Sequence, residues 1–302
     1  QQSCPRVYRK CFLRSVKAMK LKMKKHAVDF MFLLPALLLF CLIVVYPFLK
    51  GIRISLTDWD GFSPQYNFVG LENFRRILKD PSIKDPIKNS VFYTVVTVII
   101  DNAAGLGVAF AFRKDSKSNR FFRTCVFMPF VLSLVLTGFI WKYIYSDIFY
   151  GIFGIKSLLG NKKTVMWGIC FMASWRDIGY AMLIYLAGLQ AIPETYYEAA
   201  KIDGASAFKR FTKITLPLLA PAFTVNVTLF LGWGLKIFDY VMAATNGGPG
   251  RASETFAMYV YNYTFPYNRA GYGQAAAIMM MIAIFIISGV TSTLLRRREI
   301  DM

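Results

Sequence analysis

Histidine is almost missing from this chain: His26 is the single one in 302 residues. With no Cys/His cluster at metal-ligand spacing, a histidine-based metal site is excluded. No Ser/His or Cys/His pair remains for nucleophilic catalysis, which argues against an intramembrane enzyme. No Gly-x-x-x-x-Gly-Lys-Ser/Thr loop occurs, so the chain cannot hold ATP phosphates by the P-loop route. Acidic residues are few, 17 against 36 Lys and Arg, for a net charge of +19. None precedes Asp29, while residues 1–27 carry nine Lys and Arg. A nucleic-acid arm would interleave aromatics with the bases, and only Tyr8 and Phe12 do so here. The segment 1–27 therefore reads as a basic tail that sets topology and touches anionic lipid, with His26 solvated in it. Cysteines are also few. Cys4 and Cys11 lie in the tail and Cys41, Cys125 and Cys170 in apolar runs, so no structural disulfide is expected. The absence of tandem repeats excludes a solenoid.

What the chain has in abundance is apolar length. It is 56% hydrophobic, and the apolar residues come in runs rather than in amphipathic alternation. A membrane-crossing helix needs about 20 predominantly apolar residues. Residues 30–49, 124–141 and 270–295 meet that with no charge at all; 89–112 carries only Asp101. Residues 165–192 are interrupted by Arg176-Asp177, and 218–245 by Lys236 and Asp239. These runs predict an all-α integral membrane protein with six transmembrane helices, since backbone polar groups in lipid must bond within the segment. The run after the tail is too long for a cleaved signal, and no Ala-x-Ala site follows it. With the N-terminus inside, the inside segments hold 21 Lys and Arg in 72 residues and the outside ones 11 in 83. That bias predicts both termini in the cytoplasm. The expected organisation is the tail 1–27, a membrane domain 28–295 and a cytoplasmic C-terminus 296–302. The longest outside loop contains Leu71, Phe74, Ile77 and Leu78 at helical spacing, which predicts a short amphipathic helix.

One cytoplasmic segment, 191–217, is polar but ordered in pattern. It carries Glu194, Glu198, Lys201, Asp203, Lys209, Arg210 and Lys213. Pro193 and Glu194 suit a helix start, Asp203-Gly204 a turn, and Ser206 the cap of a second short helix ending before Pro217. The result is a helix–turn–helix knob. Within it, Glu198-Ala199-Ala200 is followed by three residues, Gly204, nine residues and Ile214-Thr215-Leu216-Pro217. This spacing resembles the coupling loop of permease subunits in binding-protein-dependent ABC importers, with every fixed position met. The flanks, Ala187 to Pro193 and Thr245 to Pro249, are similar to the carbohydrate branch and its larger maltose-type subunit.

The resemblance implies the type I ABC importer permease fold and a cell-membrane, bacterial-type location. It implies a second homologous permease subunit, two ATPase subunits and an extracytoplasmic solute-binding protein. No cofactor is implied for this chain, ATP and Mg belonging to the ATPase. Glu198, Ala199, Ala200, Asp203 and Gly204 are implied as the ATPase-coupling residues. The cargo implied is a sugar or oligosaccharide, with a non-sugar solute such as a glycerol phosphate ester as the alternative. A secondary transporter or channel would need coupling-ion chemistry and would leave the Glu198 loop unexplained.

Charges at membrane depth face a partner, the bundle interior or a water-filled path. Asp101, Arg176, Asp177, Lys236 and Asp239 are such charges, and Trp175, Tyr180, Phe230, Trp233 and Phe238 are the aromatics near them. Lys236 and Asp239 at i,i+3 could pair, whereas adjacent Arg176 and Asp177 should need other partners. Trp141 and Trp167 suit an interfacial belt. By the maltose-type resemblance, Trp233 falls on a sugar-stacking aromatic and Tyr180 on a substrate-contacting tyrosine. Gly234 and Ile237 stand where that subunit has asparagines, Phe230 where it has serine, and Asp177 where it has glycine. The expected substrate path is Tyr180, Trp233, Asp177, Lys236, Asp239 and Trp175.

Overall fold

The computed structural model describes residues 30–154, 157–297 and 299. The tail 1–27, with Cys4, Cys11 and His26, lies outside the described residues. The chain divides into two units, residues 1–54 and 55–302. The first holds most of helix α1 (Phe30–Ser55), which contains one π-helical turn at Cys41–Val45. Its apolar side chains are exposed, Phe32 by 82% and Met31 by 74%. That suits a helix solvated by lipid rather than by water.

The second unit is a helical bundle. Among the described residues it has no strand, only an isolated bridge between Thr57 and Phe68. Its elements are α2 (Glu72–Lys79), α3 (Lys84–Ala111), α4 (Lys117–Val131), α5 (Leu134–Tyr143) and α6 (Val165–Ala191). Then come α7 (Glu194–Ile202), α8 (Ala207–Leu218, with a π-helical turn at Phe211–Thr215), α9 (Ala220–Leu235) and α10 (Asp239–Ala244). The last two are α11 (Phe256–Thr264) and α12 (Ala270–Arg296).

The long helices α3 and α6 form the centre, with α4 and α9 packed beside them. Small residues set the approach. A Cβ on Gly105 of α3 would stand 2.6 Å from the Ala181 Cβ of α6, and one on Gly179 would stand 2.4 Å from the Val126 carbonyl of α4. Without a hydrophobic force between helices in lipid, such close contact is what dispersion attraction can exploit. Polar side chains add to it: Tyr185 donates to Asn102 Oδ1 across α3 and α6, and Asn226 Nδ2 of α9 donates to the Ala181 carbonyl at 3.2 Å. Trp141 is 7% exposed and packs on Tyr145, so it belongs to the core and not to an interfacial belt; Trp167 is 53% exposed.

Among the described residues, three helices are long and apolar enough to cross a membrane: Phe30–Ser55, Pro81–Ala111 and Ala270–Arg296. Two bent pairs, Lys117–Val131 with Leu134–Phe153 and Ala207–Leu218 with Ala220–Leu235, bring the number to five. The third run of the sequence is therefore not one straight helix. It bends by 98° at Leu132-Ser133. Pro129 cannot donate within the last turn of α4, and the Ser133 hydroxyl accepts from the Leu136 N–H at 3.1 Å to start α5 afresh.

At the far end from the knob, α2 docks through Ile77, fully buried with Ile83, Phe256 and Tyr259. Leu71 and Leu78, also expected on its apolar face, are more than 70% exposed. Asp80, just after α2, ties three elements together. Its carboxylate accepts from the Ser82 N–H at 2.8 Å and from the hydroxyls of Tyr259, Tyr272 and Tyr263 at 2.8, 3.1 and 3.3 Å. Partial burial pushes its pKa up, but these donors outweigh that and hold it at about 2.

Candidate functional site

The first candidate is the knob. Helix α7 starts at Glu194 behind Pro193 and ends at a turn where Gly204 takes φ +71°, a conformation only glycine adopts freely. The Ser206 hydroxyl accepts from the Lys209 N–H at 3.3 Å to open α8. That helix does not stop before Pro217 as expected. It runs through the π-helical turn to Leu218 and then bends by 60° into α9. Pro217 stands one residue before the end of that helix. A bond between Tyr197 Oη and Thr215 Oγ1 at 3.0 Å pins α7 to this turn. Glu198, Ala199, Asp203 and Gly204 are exposed and Ala200 half-buried. Glu198 makes no ion pair with a described residue. Ile202 and Phe208, 87% and 77% exposed, flank the turn. The knob thus presents small residues, three acids (Glu194, Glu198 and Asp203) with no ion pair among the described residues, and two bare apolar side chains.

The second candidate is a cavity of about 390 Å³ between α3, α4, α6, α9 and α10. Asp177, Trp233, Lys236 and Asp239 line it. So do Asp101, Arg176, Phe130, Phe230, Tyr93 and Tyr240. Tyr180 stands one ring back, stacked on Phe130 at 4.7 Å and tilted against Trp233 at 5.3 Å. Trp175 is elsewhere: it packs edge-on against Trp141 at 5.6 Å and does not line the cavity. Its Cα–Cβ bond leaves the helix about 100° away from that of Arg176, toward Trp141.

Two expectations about charge pairing are corrected. Arg176 and Asp177 do pair, Nη1 to Oδ1 at 2.7 Å, with both side chains nearly buried. The long Arg side chain curls back along the helix and overcomes the divergence of the two Cα–Cβ bonds. Its Nε donates at 3.0 Å to the Leu132 carbonyl, which the break between α4 and α5 leaves without a helical partner. The guanidinium also lies 4.5 Å over the Phe130 ring. Lys236 and Asp239 do not pair. The helix stops at Leu235 and restarts at Asp239, so the i,i+3 geometry does not exist there. The carbonyl of Ile237 freed by this break accepts from Thr255 Oγ1 at 2.7 Å.

Phe130, Tyr93 and Tyr240 were not expected in the site. Pro129 and Ser133 carried the local signal for Phe130, since a broken span turns side chains inward. Nothing in the sequence marked the two tyrosines.

Residues 103–300 match the family model described as the binding-protein-dependent transport system inner membrane component. The chain belongs to that family. This permease is the membrane component of a transport system and not an enzyme. It is 33% identical, over 94% of its own length and 100% of the relative's, to the probable starch degradation products transport system permease protein of Thermoanaerobacterium thermosulfurigenes. Its fold is the type I ABC importer permease fold. It superposes with a TM-score of 0.80 on a chain of a bacterial ABC transporter involved in import of the acidic polysaccharide alginate, at 19% identity, covering 93% of the permease and 99% of that chain. A second solved bacterial alginate transporter, in complex with an alginate pentasaccharide-bound periplasmic protein, matches at 0.78 and 20% identity over 91% and 96% of the two chains.

Proposed function

We propose that the permease carries a sugar or oligosaccharide, delivered by an external binding protein, through the cavity between α3, α4, α6 and α9. The observation that carries this reading is the wall of the cavity. Phe130, Phe230 and Trp233 stand in it beside a set of carboxyl and cationic groups. Sugar rings offer apolar C–H faces to aromatics and hydroxyls to charged acceptors and donors. The relative named for starch degradation products supports the same class of cargo. The periplasmic protein in the alginate transporter complex supports an external delivery partner.

In this reading the chain crosses the membrane six times, with both termini in the cytoplasm. The sixth span is α6, whose Arg176-Asp177 pair lowers its mean hydropathy. Protein covers much of that helix, so it need not be apolar all round. The basic tail 1–27 and the C-terminal residues 296–302 then flank a membrane domain 28–295. A second, similar permease chain completes the path. Two separate ATPase subunits hydrolyse ATP with Mg and grip the knob 191–217 of this chain. Ala199, Ala200 and Gly204 let a cleft approach closely, and the unpaired Glu198 offers a charge-assisted bond to a cation on the partner.

Gly204→Asp tests the coupling role. A Cβ there meets nothing within 4 Å, so only the backbone strain at φ +71° and the new charge perturb the knob. The complex should assemble in normal yield and lose substrate-stimulated ATPase activity and uptake together. Full activity in that variant refutes the coupling role.

A further inference from the structure

Asp101 of α3 is fully buried, and neither of its carboxyl oxygens has a hydrogen-bond partner among the described residues. It lines the cavity. Buried polar atoms are almost always bonded, so a carboxyl with two orphan oxygens calls for a donor from outside the chain. The neighbours cannot supply enough. Ser174 lies beside Asp101 without closing a bond of normal geometry, and one hydroxyl could saturate only one of about four acceptor positions. Arg176, a cation of the same wall, is committed to Asp177, to the Leu132 carbonyl and to the Phe130 ring. A second orphan belongs to the same wall. Tyr240 lines the cavity, and its hydroxyl, though close to Asp177, makes no bond of normal geometry.

We propose that Asp101 and the Tyr240 hydroxyl are substrate contacts that make the path selective for neutral rather than acidic sugars. This rests on the sugar-permease reading. A polyol brings the hydroxyl donors that Asp101 lacks. Adjacent hydroxyls on one ring suit a carboxylate, which takes two donors side by side. A uronate or phosphate ester brings acceptors and negative charge instead. It would meet Asp101 and Asp239 in one wall, with Lys236 as the cation not already spent in the Arg176–Asp177 pair. Like charges repel more strongly where protein replaces water. The permease thereby differs from the alginate importer whose fold it shares.

The test is equilibrium binding of two probes to the complete complex purified in detergent. The neutral probe is maltotriose, and the acidic one is a mannuronate trisaccharide. Wild type should bind maltotriose at least about tenfold more tightly, the value of one charged hydrogen bond. Asp101→Ala should weaken maltotriose by about tenfold or more on the same basis. Asp101→Asn should narrow the preference between the probes. Tyr240→Phe guards against misfolding. It removes a hydroxyl that closes no hydrogen bond of normal geometry with the protein, so a structural role predicts unchanged yield and unchanged binding. The proposal predicts unchanged yield with weakened maltotriose binding. Equal affinity of wild type for the two probes overturns the inference, as does maltotriose binding that is alike in wild type and all variants. If neither probe binds wild type, the sugar reading falls and this inference with it. If maltotriose binds and the variants are indifferent, only the inference falls.

Discussion

Gly179→Ala adds one methyl group at the closest helix crossing near the cavity. The new Cβ would stand 2.4 Å from the Val126 carbonyl oxygen, 2.7 Å from Phe127 Cα and 3.0 Å from the Val126 carbonyl carbon. All three are backbone atoms, so no rotamer change can make room. Ordinary contact begins near 3.4 Å, and α4 must therefore retreat from α6 by about 1 Å, at about 1–3 kcal/mol for an overpacked core. The retreat acts on the site directly. Arg176 Nε holds the Leu132 carbonyl at 3.0 Å, and Phe130 stacks on Tyr180 at 4.7 Å, both across the crossing being pried open. Gly107→Ala on α3 is the control. It also sits in a helix but meets nothing within 4 Å, and alanine is the better helix former by about 1 kcal/mol. Thermal aggregation of the detergent-purified complex, followed by size exclusion, measures both. Gly179→Ala should lower the melting temperature by several degrees and reduce uptake, whereas Gly107→Ala should leave both unchanged or slightly raised. A Gly179→Ala complex that melts with wild type would refute the close-packing argument.

Trp233→Ala should impair uptake with little change in assembled complex or basal ATPase activity, because its ring is half-buried against the cavity; normal uptake kinetics in both this variant and Tyr180→Ala would remove these aromatics from the path. Asp80→Ala should destabilise the outer cluster by about 1–3 kcal/mol, since three tyrosine hydroxyls lose a common acceptor, and thermal melting checks it. The pH dependence of that contribution has a definite sign. The folded pKa of about 2 lies below the ordinary 3.8, so the stabilisation is complete above 3.8 and fades as pH falls toward 2. Wild type and Asp80→Ala should then differ most above pH 4 and converge in acid; a difference that grows on acidification contradicts the assignment. Mass measurement of the purified complex should give one copy of this chain with a second permease and two ATPase subunits, and two copies without a second permease would reject the heteromer.

The helical membrane architecture was readable from the chain because lipid imposes its own arithmetic: apolar runs of span length admit few other solutions. The knob was readable because its parts are local. A proline start, a glycine turn and a serine cap act over three or four residues and need no distant partner. Trp233 stands 16 residues after Pro217 and Tyr180 18 before Glu198, so helices rising about 1.5 Å per residue bring them to one level, and their rings do meet at 5.3 Å. What failed was whatever depended on a helix being straight. A charge-free run from Thr124 to Trp141 says nothing of a 98° bend, and Lys236 and Asp239 meet only if the helix between them continues. Those breaks are stable because tertiary contacts satisfy the carbonyls they free, Leu132 by Arg176 and Ile237 by Thr255. Partners 44 and 18 residues away in the chain leave no periodic trace near the break. Asp101 shows the same division. Its charge in an apolar run marked it as costly wherever it went, but only the packing of α3 against its neighbours left both its oxygens buried and without a partner of normal geometry, in a residue of the cavity wall.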